Sequence, residues 1–442
     1  MKVLKFGGTS VGSPERMHHV AQLIQGGTPN FVVLSAVSGT TNALVAIGQD
    51  LQQGLQEVAE DKIAALFKKY KQFVNDLYSE DLSKQQGEEV IDRQFRWMLN
   101  LAQTPFTGVS ERELLAQGEL LSTQLFQIYL LEIGVRSVLL SALDFMRVDE
   151  DHEPAFDLIG EKLNALMAQS PDQEIYLTQG YICRNHRDEI DNLQRGGSDY
   201  TASILGAVLR SEEVQIWTDI DGMHNNDPRI VDRTYPVAEL SFDEAAELAY
   251  FGAKILHPLS IRPAQRFGVP VKLLNTMQPD AQGTTIADHS PTGQIKAVAA
   301  KDGITAIRIK SSRMLLAYGF LRRVFEVFER YRTPIDMITT SEIAVSVTID
   351  DSSHLDEIVK ALEPFGTVEA DRDHTIVCIV GNRLSENSDN AYRVMSALKG
   401  IPVRMISYGG SRHNISVLVQ SKYKEAALRA LNEKVFDLLP QE

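Results

Sequence analysis

Four short segments carry residue types that can handle phosphate. Lys5-Phe6-Gly7-Gly8-Thr9-Ser10 places a cation ahead of two glycines and a hydroxyl. Glycines let backbone N–H groups approach an anion closely, and a helix beginning just beyond them adds the positive end of its dipole. The lysine precedes the glycines, so this is not a Walker A loop; no H-R-D or D-F-G string exists to make it part of the protein-kinase set. Arg195-Gly196-Gly197-Ser198-Asp199-Tyr200-Thr201 gathers a cation, paired glycines, a hydroxyl and a carboxylate before the apolar helix Ala202–Leu209. A simple helix cap by Ser198 or Asp199 would account for one polar residue, not for the arginine and glycines. Ile216-Trp217-Thr218-Asp219-Ile220-Asp221-Gly222-Met223 runs on to Asp227-Pro228-Arg229. Asp219, Asp221 and Gly222 are spaced like a calcium loop, but the later acidic ligand is missing; a strand-end turn suits the base, ribose and phosphates of a nucleotide better. Phe251-Gly252-Ala253-Lys254-Ile255-Leu256-His257-Pro258 sets a second lysine beside a glycine. His257 in that string, and His18 and His19 earlier, read as structural.

These segments need elements to hold them. Val3–Phe6 and Phe31–Ala36 are short apolar runs opening into glycine, and Ser13-Pro14-Glu15 between them reads as N-cap, first helical position and acidic first turn. Continuous apolar strands separated by helices predict a mainly parallel sheet covered on both faces. In such a sheet ligands gather at the C-terminal ends of the strands, where all four segments fall. Residues 43–133 are helical in period. Further strands are predicted at Val135–Ser141, Glu174–Thr178, Val214–Thr218 and Val269–Leu274, with the first domain closing near Thr292-Gly293.

The remainder holds a degenerate repeat. Thr333-Pro334-Ile335-Asp336-Met337-Ile338-Thr339 is echoed by Ile401-Pro402-Val403-Arg404-Met405-Ile406-Ser407, and Ala344–Ile349 by Asn414–Val419. Each copy opens with a strand, Thr305–Lys310 or Thr375–Gly381, followed by a helix, two strands and a second helix. The first copy has a fourth strand at Thr367–Asp371. The second lacks one after its last helix, Tyr423–Leu439, so Gln294–Ala300 is predicted to complete it, beside the strands of residues 403–420. The first module would then be inserted within the second.

Composition narrows the function classes. The chain has 442 residues, too many for one ordinary core. Its net charge of −15 disfavours nucleic acid and anionic membranes as partners. It does not exclude ATP, because charge is screened over about 8 Å and a few local cations govern a site. No stretch approaches the roughly 20 apolar residues of a membrane span. Cys183 and Cys378 sit in apolar strand-like runs and are expected as buried thiols. With no signal-like start, a cytoplasmic enzyme is expected.

Taken together with Ser35-Ala36-Val37-Ser38-Gly39-Thr40-Thr41-Asn42 and Gln117-Gly118-Glu119-Leu120-Leu121-Ser122, the four segments resemble the aspartokinase family of the amino-acid kinase fold. The likeness extends over essentially the whole chain. It implies an α/β fold: an αβα sandwich with a mainly parallel sheet over residues 1–293, then two interleaved ferredoxin-like ACT modules over 294–442. The first module would span about 303–371, inserted in a second made of 294–302 and 372–442. It implies transfer of the ATP γ-phosphoryl group, as Mg·ATP, to the β-carboxylate of L-aspartate, the first step toward lysine, threonine and methionine. The rivals are another kinase of the same fold and a non-catalytic amino-acid sensor. No dinucleotide fingerprint follows the tail, which disfavours a fused homoserine dehydrogenase.

By the same resemblance Lys5 meets the transferring phosphoryl group and Lys254 the nucleotide phosphates. Asp199 orients these lysines or helps hold the metal, to which no other protein ligand is assigned. Gly7, Gly8, Ser10, Ser38 and Gly39 line the phosphates, with Thr218, Asp219, His224, Arg229 and Ile255 at nucleotide positions. Arg195 takes the α-carboxylate of aspartate, Glu119 its α-ammonium, and Thr41 and Ser198 help place it. Gln194 and His224 depart from the glycine and aromatic residue expected there. In the tail the implied effector positions are Met314, Ala317, Gly319, Phe320, Leu321, Asp336, Ser341 and Glu342. Lysine is the expected effector and threonine the alternative, although Leu316-Ala317-Tyr318 departs from the lysine-sensing pattern. ACT modules pair edge to edge, which implies a homodimer or homotetramer.

Overall fold

The apolar run Lys2–Phe6 forms the centre of a sheet, with Val3 and Phe6 fully buried. Asn30–Leu34 pairs with it in parallel on one side and Val214–Thr218 on the other. Ile175–Gln179 and Ser137–Leu139 extend the first side in parallel, and Val271–Asn275 the second. Thr284–Ala287, a strand the sequence did not suggest, joins Val271–Asn275 antiparallel. The chain leaves Lys2–Phe6 toward Asn30–Leu34 and returns on the opposite flank at Val214–Thr218, so the first strand lies at the topological switch point. This computed structural model describes residues 1–26, 29–193, 196–252, 256–311 and 318–438.

Four helices occupy the stretch predicted to be helical: Thr40–Gln52, Gln56–Leu77, Asp81–Ala102 and Gly108–Glu132. Their apolar faces bury Leu44, Ile63, Tyr70, Phe95 and Phe126 in one core with Phe6 and Leu34. The helix Pro14–Leu23 starts as its sequence dictates, with Ser13 accepting a hydrogen bond from the Arg16 amide and Pro14 at the first position. Both cysteines are free and buried. Among the described residues no helix is long and apolar enough to cross a membrane.

Residues 1–222 with 256–288 make one compact unit, and 223–255 with 289–442 a second. The second is built on a six-stranded antiparallel sheet in the order Ile338–Thr340, Ala344–Ile349, Ile295–Lys310, Thr367–Gly381, Asn414–Gln420, Val403–Tyr408. Two ferredoxin-like modules share its central pair. Ile304–Lys310 and Thr367–Asp371 serve one module, while Ile295–Lys301 and His374–Gly381 serve the other. Two predicted pairs of strands are therefore two continuous strands, each crossing from module to module where the register slips between Lys301 and Ala306. The 295–301 segment does not pair with the 403–420 hairpin; it pairs with 376–381, which lies in between. Each module has its own core, one around Ile307, Val324, Val347 and Ile358, the other around Val377, Val394, Val417 and Leu431.

A buried ion pair fastens the start of the helix Phe242–Tyr250 in this unit. Glu244 Oε2 accepts from the Ser241 amide (2.7 Å), Ser290 Oγ (2.6 Å) and Lys296 Nζ (3.1 Å), and Lys296 also donates to the Glu239 carbonyl. Glu244 is fully buried and Lys296 nearly so. Removing one partner from such a pair leaves an uncompensated buried charge. Lys296→Met should destabilise the second unit by about 3–5 kcal/mol, read as a fall in thermal midpoint; the paired change with Glu244→Gln should recover much of it.

Candidate active site

Two adjacent strand ends and one helix start meet at the switch point. Beyond Phe6 the Gly7 amide donates to the Trp217 carbonyl (3.2 Å), which turns the chain. The next amides, of Gly8 and Thr9, donate to no protein acceptor among the described residues. A Cβ on Gly8 would lie 2.8 Å from the Ala36 carbonyl oxygen, so only glycine lets the two strand-end loops close on each other. Gly39, at φ +81°, begins the helix Thr40–Gln52, and the Ser38 and Gly39 amides are likewise without protein acceptors among the described residues. Gly196 at φ +83° and Gly197 at φ +51° bring in the helix Gly197–Leu209 by its N-terminus. Aligned unpaired amides at strand and helix ends form an anion-receptive surface.

The charged groups lie on this surface. Lys5 Nζ is 2.7 Å from Asp199 Oδ1 in ion-pair contact, both side chains being mostly buried. Ser198 Oγ accepts from Ser35 Oγ (2.9 Å), and a Cβ on Gly180 would fall 2.3 Å from that Ser198 oxygen. Tyr181 packs its ring against Gly197. Thr41 is half-buried in the first turn after Gly39, while its neighbour Thr40 is fixed by the Tyr70 hydroxyl (2.9 Å).

Glu119 is the most unusual group. Its helix closes on the second strand because Gly118 has no side chain; a Cβ there would meet the Ala36 methyl at 2.8 Å. Glu119 Oε1 accepts the Ala36 amide at 3.1 Å, and Oε2 is buried without a partner among the described residues. Around it, Ser122 Oγ donates to the Ser35 carbonyl, Thr123 Oγ1 to the Glu119 carbonyl, and Gln179 Nε2 to Thr123 Oγ1. The Ala36 amide and the surrounding helix–strand bonds thus fix one oxygen of the carboxyl. Burial pushes its pKa up to about 7, against the smaller pull of the Ala36 amide.

Other predicted residues have different surroundings. Ser10 is buried with its hydroxyl 2.6 Å from Thr276 Oγ1, so it holds the turn together rather than facing a ligand. Thr218 Oγ1 donates to Asp219 at 3.1 Å at the end of its strand. His257 Nδ1 accepts the Leu259 amide and caps a short turn, the structural role expected of it. In the second unit His224 Nδ1 lies 2.7 Å from Thr234 Oγ1, and exposed Arg229 grips Asp227 with two hydrogen bonds. Gln194, Arg195, Lys254, Ile255, Met314 and Ala317 lie outside the described residues. Sequence reasoning missed Lys69, whose ammonium donates to the Ser38 carbonyl at 3.2 Å; on the helix Gln56–Leu77 it looks like any surface lysine. It also missed Ser35, Gly180 and Tyr181, which no motif marks.

Among the implied effector positions, Gly319 at φ +76° starts the helix Phe320–Arg330. Phe320 is buried in its module core and Leu321 is exposed. Ser341 and Glu342 lie on an exposed turn. Asp336 has a fully buried side chain.

The comparisons with known proteins agree with this geometry. Residues 1–275 match the amino acid kinase family, and 377–435 match an ACT domain. The chain is 34% identical to the chloroplastic aspartokinase 3 of Arabidopsis thaliana, covering 98% of this chain and 81% of that protein. It is 31% identical to the lysine-sensitive aspartokinase 3 of Escherichia coli, covering 98% and 99%. The crystal structure of E. coli aspartokinase III with aspartate and ADP superposes with a TM-score of 0.82 at 31% identity, covering 99% of this chain and all of that one. Its complex with lysine and aspartate gives 0.80.

The Glu119 carboxyl gives a direct test of the site's electrostatics. A folded-state pKa above the unfolded value of about 4.3 means that ionised Glu119 costs stability: the contribution is intact below about pH 4 and lost as pH rises through about 7. Glu119→Gln stays neutral throughout. Its thermal midpoint should match wild type near pH 4.5 and exceed it above pH 7, by an advantage of about 3 kcal/mol at the limit.

Proposed function

The chain belongs to the aspartokinase family, and from that premise we infer that it phosphorylates the β-carboxylate of L-aspartate with Mg·ATP. The observation that carries the reading is Glu119, a buried carboxylate held by the Ala36 amide with its second oxygen unpartnered among the described residues, in the unit that also carries the Lys5–Asp199 pair at a strand end. An amino-acid ammonium supplies the cation and donor that this oxygen lacks.

The substrate carboxylate is already ionised at pH 7, so the reaction needs no general base. An oxygen of that carboxylate attacks the γ-phosphorus, the bond to the bridging oxygen breaks, and ADP leaves with the electron pair. The difficulty is electrostatic: two unit charges 4 Å apart repel by about 4 kcal/mol at an effective dielectric of 20. Phosphoryl transfer is therefore a matter of positioning and charge. Lys5 is the cation for the transferring group, held by Asp199 so that its ammonium stays at the strand end. Gly8, Thr9, Ser38 and Gly39 amides receive phosphate oxygens. Asp199 would be the carboxylate to hold Mg2+ together with the ATP phosphates, and the ion would neutralise charge on the transferring group. Arg195 would fork onto the α-carboxylate of aspartate, with Ser198 and Thr41 beside it. Lys254, Ile255, Thr218, Asp219, His224 and Arg229 complete the nucleotide contacts in this reading.

We assign catalysis to residues 1–293 and regulation to 294–442, with a first ACT module at about 303–371 inserted between 294–302 and 372–442. Packing follows a different division, because 223–255 belong to the compact unit of the regulatory sheet. Lysine is the proposed effector, supported by likeness to a lysine-sensitive relative. Acidic Asp336 and Glu342 suit an effector ammonium, and self-association through the ACT modules as a dimer or tetramer is the proposed assembly.

Lys5→Ala should abolish ADP release in a coupled assay while circular dichroism and thermal midpoint show a folded protein; normal turnover would overturn the mechanism. Glu119→Ala should chiefly raise the KM for aspartate. With wild type, kcat/KM for aspartate should fall about tenfold per pH unit below pH 7 as Glu119 takes a proton, and Glu119→Gln should lose that limb.

A further inference from the structure

Asp336 is placed strangely for a residue meant to meet a ligand. Its side chain is wholly buried, and Oδ1 already accepts two hydrogen bonds, from Lys301 Nζ (2.7 Å) and the Tyr250 hydroxyl (2.7 Å). Oδ2 is buried without a partner among the described residues. Lys301 Nζ also lies 2.8 Å from Asp350 Oδ2, and 4.1 Å from the centre of the Tyr250 ring. Two carboxylates, an unsatisfied oxygen and an aromatic face thus surround a single ammonium. That is the chemistry of an amine-binding subsite, and the amine in it comes from the chain itself.

The position of Lys301 suggests what its departure would do. It stands where the strand Ile295–Lys310 slips register between the two modules. Tyr250 ends the helix Phe242–Tyr250. Two residues later Gly252, at φ +121°, packs so tightly that a Cβ would be 2.3 Å from the Ala300 carbonyl oxygen. Residues 250–252 therefore rest on Ala300 and on the Lys301–Asp336 pair, and Lys254 follows two positions on in the sequence.

We propose that Lys301 is an internal occupant of an ammonium subsite formed by Asp336, Asp350 and the Tyr250 ring, which a free amino-acid effector must displace, and that Tyr250 reports the displacement to the segment leading to Lys254. The proposal rests on the reading of Asp336 as an effector residue. A subsite held by its own lysine more than nine-tenths of the time lowers the apparent affinity of a competitor at least about tenfold. Two carboxylates facing one ammonium also leave a negative charge for the second ammonium of a diamino acid.

The test uses the full chain. L-lysine binding is measured by calorimetry and inhibition by the coupled kinase assay, for wild type, Lys301→Ala, Asp336→Asn and Tyr250→Phe. Lys301→Ala should bind L-lysine at least about tenfold more tightly than wild type. n-Propylammonium, which replaces the deleted atoms, should raise its thermal midpoint, whereas n-propanol should not, and neither should affect wild type. Tyr250→Phe should bind L-lysine but be inhibited less. Equal L-lysine affinity in wild type and Lys301→Ala, with binding lost in Asp336→Asn, would overturn the internal occupant and leave the effector reading standing. Wild-type binding and inhibition in Asp336→Asn would overturn the effector reading, and the proposal with it. Should Lys301→Ala not fold, Lys301→Met keeps the stem and takes the same titration.

Discussion

The ion pair between Lys5 and Asp199 joins two elements far apart in sequence: the first strand and the helix that begins at Gly197. Its geometry depends on backbone events on each side. Lys5 is set by the parallel pairing of Lys2–Phe6 between Asn30–Leu34 and Val214–Thr218. Asp199 is set by two consecutive left-handed glycines that swing the helix start into the same strand-end region. An exposed pair of this kind would contribute little. Mostly buried, it fixes a cation at the end of the first strand, next to amides that have no acceptor among the described residues.

The proposed mechanism has Glu119 accept a cation, and its ionised carboxylate carries a cost in stability. A carboxylate in an apolar setting with a single backbone donor is under-solvated. Gly118 and Ser122 hold the helix against Ser35 and Ala36, which keeps the carboxyl in this setting. In the proposed mechanism the substrate ammonium meets a group already desolvated, so little solvent reorganisation opposes it.

What the sequence disclosed and what it hid follow from the range of the interactions. Lys2–Phe6 and Asn30–Leu34 were legible because a strand buried on both faces is a continuous apolar run, and the glycines after them mark close backbone approach. Lys5, Gly8 and Asp199 were legible as residue types at strand ends. The partner of Glu119 was not, because a backbone amide at Ala36 leaves no trace in residue identity. Lys69 was hidden for another reason: one lysine among the exposed positions of an amphipathic helix has no distinguishing spacing. In the regulatory sheet, Lys301-Asp302-Gly303 reads as a polar break between two strands. The bulge there allows one strand to pass through, and Asp302 keeps its polarity satisfied by Thr375 and Lys424.

That continuity has a mechanical consequence. Strands shared by two modules tie the cores of both to one hydrogen-bonded ladder, and a packed ladder transmits displacement rather than absorbing it. Residues that can rearrange cheaply are then those where the ladder is already irregular, between Lys301 and Ala306. Lys301 lies at that irregularity, and its ammonium, not its backbone, makes the contacts to Asp336, Asp350 and Tyr250. The proposed exchange of this ammonium for another amine would leave the sheet's backbone pairing intact, as a reversible sensor requires.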